Sequence, residues 1–267
     1  MDDGSILGAR TGFGREWALD LVSHELAHSW FGNLVTTKDW SNLWLNEGFA
    51  TFMEAVYREK LNGRTDYMRK VREDADAFMD SDSFSQIRPP LLNLKAHPDT
   101  VFDAPTFVYQ KGGAVLHTLR EELGDEVFWK AVNVYLNRHK FNVVDYTDLK
   151  KVMEEVSGKD LTWFFNQWVI KGGYPKLTVK PTYSATKKRL ILTVTQTQKI
   201  DAITPAVFTL PLEVEIRTAK GTKTEKIKVD KRVQTISLPV DGKPSKITID
   251  KMEKIPIKAV KVLAMPK

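Results

Sequence analysis

Between Arg15 and about Ile170 the apolar residues recur at intervals of three and four, with turn signals between the runs. This is the period of helices that bury one face. Helices are expected near 15–32, 41–62, 64–80, 105–123, 125–139, 146–157 and 160–170, several opening on residues that favour a helix start, such as Ser41, Asp125 and Asp160. Residues 81–105, punctuated by Pro89, Pro90, Pro98 and Pro105, read as a long ordered loop, and loops of that length usually line something. KGGYPK, 171–176, ends the helical period. Beyond it KLTVKP, RLILTVTQT, FTLPLEVEIRT, EKIKVD, QTISLP and SKITID alternate apolar and polar at period two, separated by Asp-Gly, Lys-Gly and Pro. Short strands at this spacing predict a β-sandwich. The expected architecture is α+β and multi-domain: a helical lobe over residues 1–174 and an all-β sandwich domain over 175–267.

Composition narrows what such a chain can do. With 267 residues there is room for two domains and a substantial core, and with no cysteine neither a disulfide framework nor a thiolate metal site exists. No run of 18 apolar residues is present, and MDDGSILGARTG has neither a basic segment nor an apolar one of the signal-peptide kind. The chain as given therefore reads as soluble with no membrane segment, and its compartment is unassigned. Residues 1–174 carry 20 Lys+Arg against 26 Asp+Glu, net −6, whereas residues 175–267 carry 20 against 8, net +12. That segregation again speaks for two domains. The basic half disperses its lysines through alternating strands with only Tyr183 and Phe208 as aromatics, which fits a solvated surface guarding sheet edges and not a nucleic-acid site.

Chemistry is concentrated in HELAHSWFGNLVTTKDWSNLWLNEGFA, residues 24–50. On a helix His24 and His28 lie about 40° apart around the axis and about 6 Å along it, so both imidazoles face one ion. Glu25, displaced by about 100°, suits a base beside that ion better than a ligand. Glu47 follows His28 by 19 residues on the next expected helix, and a helix–turn–helix return brings its carboxylate to the same place. His24, His28 and Glu47 then form a catalytic zinc site, one Zn2+ per chain, with one position open. Trp44, Leu45 and Phe49 surround Glu47, where an uncompensated carboxylate is costly. Gly48, a helix-interior glycine, points to a close helix–helix or substrate approach. Glu54 and Thr51, on later turns, are candidates to hydrogen-bond a ligand histidine. Of the remaining His97, His117 and His139, the last two have no second histidine four residues away and are assigned to packing or solvent.

HELAHSWFGN, the 18-residue spacer and WLNEGFA together resemble the zinc signature of the aminopeptidase N family, the membrane alanyl aminopeptidases of the gluzincin metallopeptidases. The resemblance implies a thermolysin-like catalytic lobe, peptide substrates with a free N-terminus, and a transition-state tyrosine in a Tyr-x-Lys-Gly context, which FVYQKGGAVL places at Tyr109. Without it, Tyr109 would read as a core-edge residue. WFFNQWVIKGGYPKLTV likewise resembles the family's junction between catalytic domain and sandwich. The family's Gly-x-Met-Glu-Asn strand, whose glutamate binds the substrate amine, has no counterpart before His24. The chain is accordingly read as a truncated fragment of low activity, with helix faces whose exposure favours self-association. Two alternatives stay open beside a zinc aminopeptidase. One is a zinc endopeptidase or leukotriene-hydrolase-like bifunctional enzyme; the other is a non-catalytic scaffold, against which the intact His24, Glu25, His28, Glu47 and Tyr109 argue.

Overall fold

The computed structural model describes residues 15–86 and 88–265; the N-terminal stretch read above for targeting signals lies outside them. The chain is mixed α and β and divides into two compact units, residues 1–170 and 171–267. Among the described residues no helix is long and apolar enough to cross a membrane.

The first unit contains α1 (Arg15–Ala27), α2 (Trp44–Asn62), α3 (Arg64–Phe84), α4 (Gln110–Leu123), α5 (Asp125–His139), α6 (Tyr146–Ser157) and the short α7 (Thr162–Phe165), which runs into a π-helical turn at Asn166–Ile170. α1 stops earlier than its apolar pattern suggests, at Ala27 instead of residue 32, and the chain reverses through Gly32 at φ 141°, a backbone state glycine adopts without steric cost. It then forms β1 (Val35–Thr37), which pairs in parallel with β2 (Asn142–Val144). Three-residue strands are too short to announce themselves by periodicity. Ser41 does not cap α2. It sits in a 3₁₀ turn, Trp40–Asn42, whose cap is Asp39, the carboxylate accepting from the Ser41 N–H at 3.0 Å.

α2 is the central element and packs against α1, α3 and α4. Its Trp44, Phe49 and Phe52 are buried to about 1% exposure. α2 and α4 approach at a pair of glycines: a Cβ on Gly48 would lie 2.9 Å from Gly112 Cα, and one on Gly112 would lie 2.7 Å from Gly48 Cα. Both obstacles are backbone, so any larger residue must separate the helices. α3 continues to Phe84, beyond the expected end at residue 80, so the irregular segment begins at Ser85. Buried Leu91 and Val101 and a bond from Leu92 N–H to Val169 O at 3.0 Å hold that segment in place.

The second unit has two sheets. β3 (Lys176–Ser184), β4 (Arg189–Gln196), β7 (Val233–Pro239) and β9 (Ala259–Val262) form one in the order β7-β4-β3-β9; β5 (Leu210–Thr218), β6 (Gly221–Val229) and β8 (Lys246–Ile249) form the other in the order β6-β5-β8. Alternate residues are buried, Leu190, Leu192 and Val194 on β4 and Leu210, Leu212, Val214 and Ile216 on β5, as period two requires. Lys226 and Lys228 are exposed on edge strand β6, where charge discourages pairing with another chain. β9, not anticipated from the sequence, lies parallel to β3.

Candidate active site

α1 delivers His24 in its last turn, and His28 follows one residue past the helix end while its N–H still bonds His24 O at 3.3 Å. After the turn at Gly32, α2 brings Glu47 back in its first turn. The three side chains converge: Glu47 Oε2 lies 3.2 Å from His24 Nε2 and 3.3 Å from His28 Nε2. One ligand atom from each of the three lies within 4.8 Å of the others, a grouping able to hold a metal ion. The two imidazoles stand edge to face with ring centroids 4.9 Å apart.

Each histidine is held from behind. His24 Nδ1 is 2.7 Å from Glu54 Oε1, and His28 Nδ1 is 3.0 Å from Phe31 O. Both partners are acceptors, which assigns the hydrogen to Nδ1 and turns the Nε2 lone pairs toward Glu47. Two lone pairs and a carboxylate facing one another need positive charge between them. Without a metal, protons supply it. Burial pulls the His24 pKa down, but hydrogen bonds to Glu47 and Glu54 outweigh that and raise it to about 9. The bond to Glu47 likewise raises His28. For Glu47, burial pushes up and the two histidines prevail, bringing the carboxyl to about 2. A dication can take the place of two such protons among these three groups, so the donor set fits a metal.

Tyr109 enters from the first residues before α4. Its ring stacks on His24 with centroids 5.9 Å apart and planes 16° apart. Burial, then a hydrogen bond to Glu47 and the charges of Glu47 and Glu25, push its phenol above the usual tyrosine range, which keeps it a donor. Glu25 is exposed on α1. The structure therefore brings together His24, His28, Glu47 and Tyr109, residues spread over more than eighty positions of the chain, with Glu25 next to His24 in α1 and its charge felt at Tyr109.

Of the two residues expected behind the ligands, Glu54 bonds His24 and Thr51 does not. The Thr51 hydroxyl donates to Glu47 O at 2.8 Å, because a threonine in a helix reaches its own backbone four residues earlier. His117 is buried and bonded to Tyr67 Oη at 2.8 Å, His139 packs near the Tyr135 ring, and exposed His97 pairs with Asp99 at 3.3 Å. Sequence reasoning overlooked Lys70 and Asp74. Lys70 Nζ is 2.9 Å from Glu54 Oε2 and 2.7 Å from Asp74 Oδ1, and its four-residue spacing to Asp74 in an otherwise amphipathic α3 was the available signal.

A family model described as the Peptidase family M1 domain matches residues 9–168. The chain is 36% identical over 165 residues to an aminopeptidase N of Lactococcus lactis subsp. lactis, a match covering 60% of the chain and 19% of that protein. It is 32% identical over 238 residues to the protein named "Probable aminopeptidase 2" of Sulfurisphaera tokodaii, covering 86% of the chain and 29% of that protein. The crystal structure of Legionella pneumophila aminopeptidase A in complex with aspartic acid superposes with a TM-score of 0.70 over 91% of this chain and 27% of that one, at 22% identity, a likeness that bears on fold alone. The chain spans about a fifth of the length of the first of these relatives.

Proposed function

Because the chain belongs to peptidase family M1, we propose that His24, His28 and Glu47 bind one zinc ion and that the site performs the peptide hydrolysis of an aminopeptidase. The observation that carries the reading is the convergence of two Nε2 atoms on one carboxylate, at 3.2 and 3.3 Å. Ligands about 2.0–2.1 Å from a tetrahedral zinc stand about 3.3 Å apart, so the spacing supports zinc over larger, oxygen-preferring cations. Bound there, zinc supplies Lewis acidity that polarises a peptide carbonyl and acidifies water.

The chain's own residues supply the rest. Glu25 takes a proton from the attacking water and passes it to the departing amine, so one carboxylate serves as base and then as acid. Tyr109 donates its phenolic hydrogen to the oxygen on which charge develops, a contact worth about 3 kcal/mol in comparable sites. Glu54 and the Phe31 carbonyl hold the histidine rings in the tautomer that ligation needs.

The architecture is read in the same terms: residues 1–174 as the helical part of a thermolysin-like lobe, and 175–267 as a β-sandwich, supported by the alternating burial in β4 and β5. Within its 267 residues the chain has no Gly-x-Met-Glu-Asn counterpart to hold a substrate's α-ammonium. Its turnover is therefore proposed to be low beside that of a relative that has one, since a loosely held substrate loses its orientation advantage.

Metal analysis with an activity assay tests the reading. The purified chain should contain about one zinc and release aniline from an aminoacyl anilide at a rate abolished by a chelator and restored by zinc. Chelator-insensitive hydrolysis, or a chain that takes up no zinc, would overturn it.

A further inference from the structure

Both ring nitrogens of His24 are met by the same helix. Glu47 and Glu54, seven residues apart on α2, face one way two turns apart; Glu47 reaches Nε2 at 3.2 Å and Glu54 reaches Nδ1 at 2.7 Å. Glu54 uses only Oε1 for this. Its Oε2 accepts from Lys70 Nζ at 2.9 Å, and the same ammonium donates to Asp74 Oδ1 at 2.7 Å. Lys70 and Asp74 both lie on α3, a helix that contributes none of the three ligands, and are 7% and 6% exposed.

We propose that Lys70, balanced by Asp74, is a positioning residue for the metal centre: it anchors the free oxygen of Glu54, which fixes the His24 ring and thereby sets the affinity for the metal. The inference rests on the zinc-site reading above. A glutamate has three rotatable bonds, and a carboxylate held by one oxygen can swing away from its partner, whereas one held by both cannot. Placing a lysine and an aspartate so deep between two helices is unfavourable, and apolar residues of similar volume would join α2 to α3 as well. The pair is therefore poorly explained as a packing device. Asp74 has a separate part. Lying beyond the ammonium, it offsets the positive charge that would otherwise oppose a dication, leaving the negative charge of Glu54 to act on the ring. Outer partners of ligand histidines typically change metal affinity by about 10–100-fold when removed.

The test uses the 267-residue chain and measures the zinc dissociation constant by competition with a chromophoric chelator, together with the visible absorption of the Co(II)-substituted protein. Lys70→Met, which keeps the aliphatic stem, should weaken zinc binding by about 10-fold or more and shift the Co(II) bands, and Lys70→Arg should restore most of the affinity. Leu149→Ala, a core change on α6, which packs mainly against α5, should lower Tm without moving the zinc constant. A Lys70→Met chain that is folded by circular dichroism and binds zinc within twofold of wild type overturns the proposal. So does Leu149→Ala weakening zinc as much as Lys70→Met, since the effect is then one of stability. If Lys70→Met fails to fold, Asp74→Asn, close in shape to the original, tests the same pair, and unchanged zinc affinity in that variant overturns the proposal by itself. A His24→Ala, His28→Ala chain that keeps stoichiometric zinc strikes instead at the zinc-site reading, so the two failures are separable.

Discussion

Residues 15–170 bury Arg58, Lys70, Asp74, Lys111 and Arg120 along with His24, whereas among residues 171–265 the buried polar groups are mainly Gln196, Gln198, Thr204 and Asp250. The contrast is not one of composition, because the second region holds the greater excess of charge. It lies in where the charges go. In the strand region most lysines stay in water, although Lys258 reaches the buried Asp250 at 2.8 Å, and Gln196 substitutes for missing backbone partners, its amide exchanging two 2.8 Å bonds with Phe208. In the helical region ion pairs link elements: Arg58 of α2 holds Asp20 of α1, Arg120 of α4 holds Glu59 of α2, and Lys70 of α3 holds Glu54. Such pairs are weak sources of stability but strong constraints on geometry once one partner is fixed. A site that must hold two imidazoles and a carboxylate within hydrogen-bonding distance benefits from that constraint, and the region without such a site buries fewer charged groups.

Substitutions sharpen the comparison, the largest effect first. Replacing both His24 and His28 by alanine should remove the metal altogether, taking zinc from about one per chain to none, as read by elemental analysis after dialysis. Glu25→Gln should leave zinc in place and cut turnover of an aminoacyl anilide by about 10²–10⁴; a variant that kept wild-type turnover could not have Glu25 as its base. Tyr109→Phe should lower kcat by about 10²–10³ with little change in KM, and steady-state kinetics showing the reverse pattern would make the tyrosine a binding residue.

Smaller changes probe the scaffold. Gly48→Ala must part α2 from α4 at a point where both neighbours are backbone. A loss of about 1–3 kcal/mol is expected, measured from the urea midpoint, together with slower turnover because Tyr109 and Glu47 sit on either side of that crossing. In the strand region, Lys226→Ala removes an exposed charge from edge strand β6 and should change stability by no more than about 0.5 kcal/mol, with zinc affinity unchanged. A marked loss of zinc affinity there would break the contrast between the two regions.

Much of this molecule was readable from one dimension. The helices from α2 to α6, the break near residue 171 and most strands follow from apolar period, glycines and prolines, because those signals are local. The convergence of three side chains was legible too: four residues on a helix and a nineteen-residue return leave little freedom for His24, His28 and Glu47. Tyr109 was assigned through family resemblance, since nothing in its neighbours marks a residue 62 positions beyond Glu47 as part of the same site. Gly48 announced a close approach without naming its partner.

What tertiary structure alone decided are relations across long separations. Gly112 proved to be the backbone that Gly48 meets, Glu54 and not Thr51 the acceptor for His24, and Lys70 with Asp74 the support behind it. Helical spacing puts Thr51 and Glu54 both near the Glu47 face, and the choice between them depends on reach: a threonine hydroxyl finds its own helix carbonyl first, while the longer glutamate extends to the ring. β1, β2 and β9 escaped for a related reason. Short parallel strands carry no turn and almost no alternation, so their pairing exists in the sequence only as an outcome of everything folded around them.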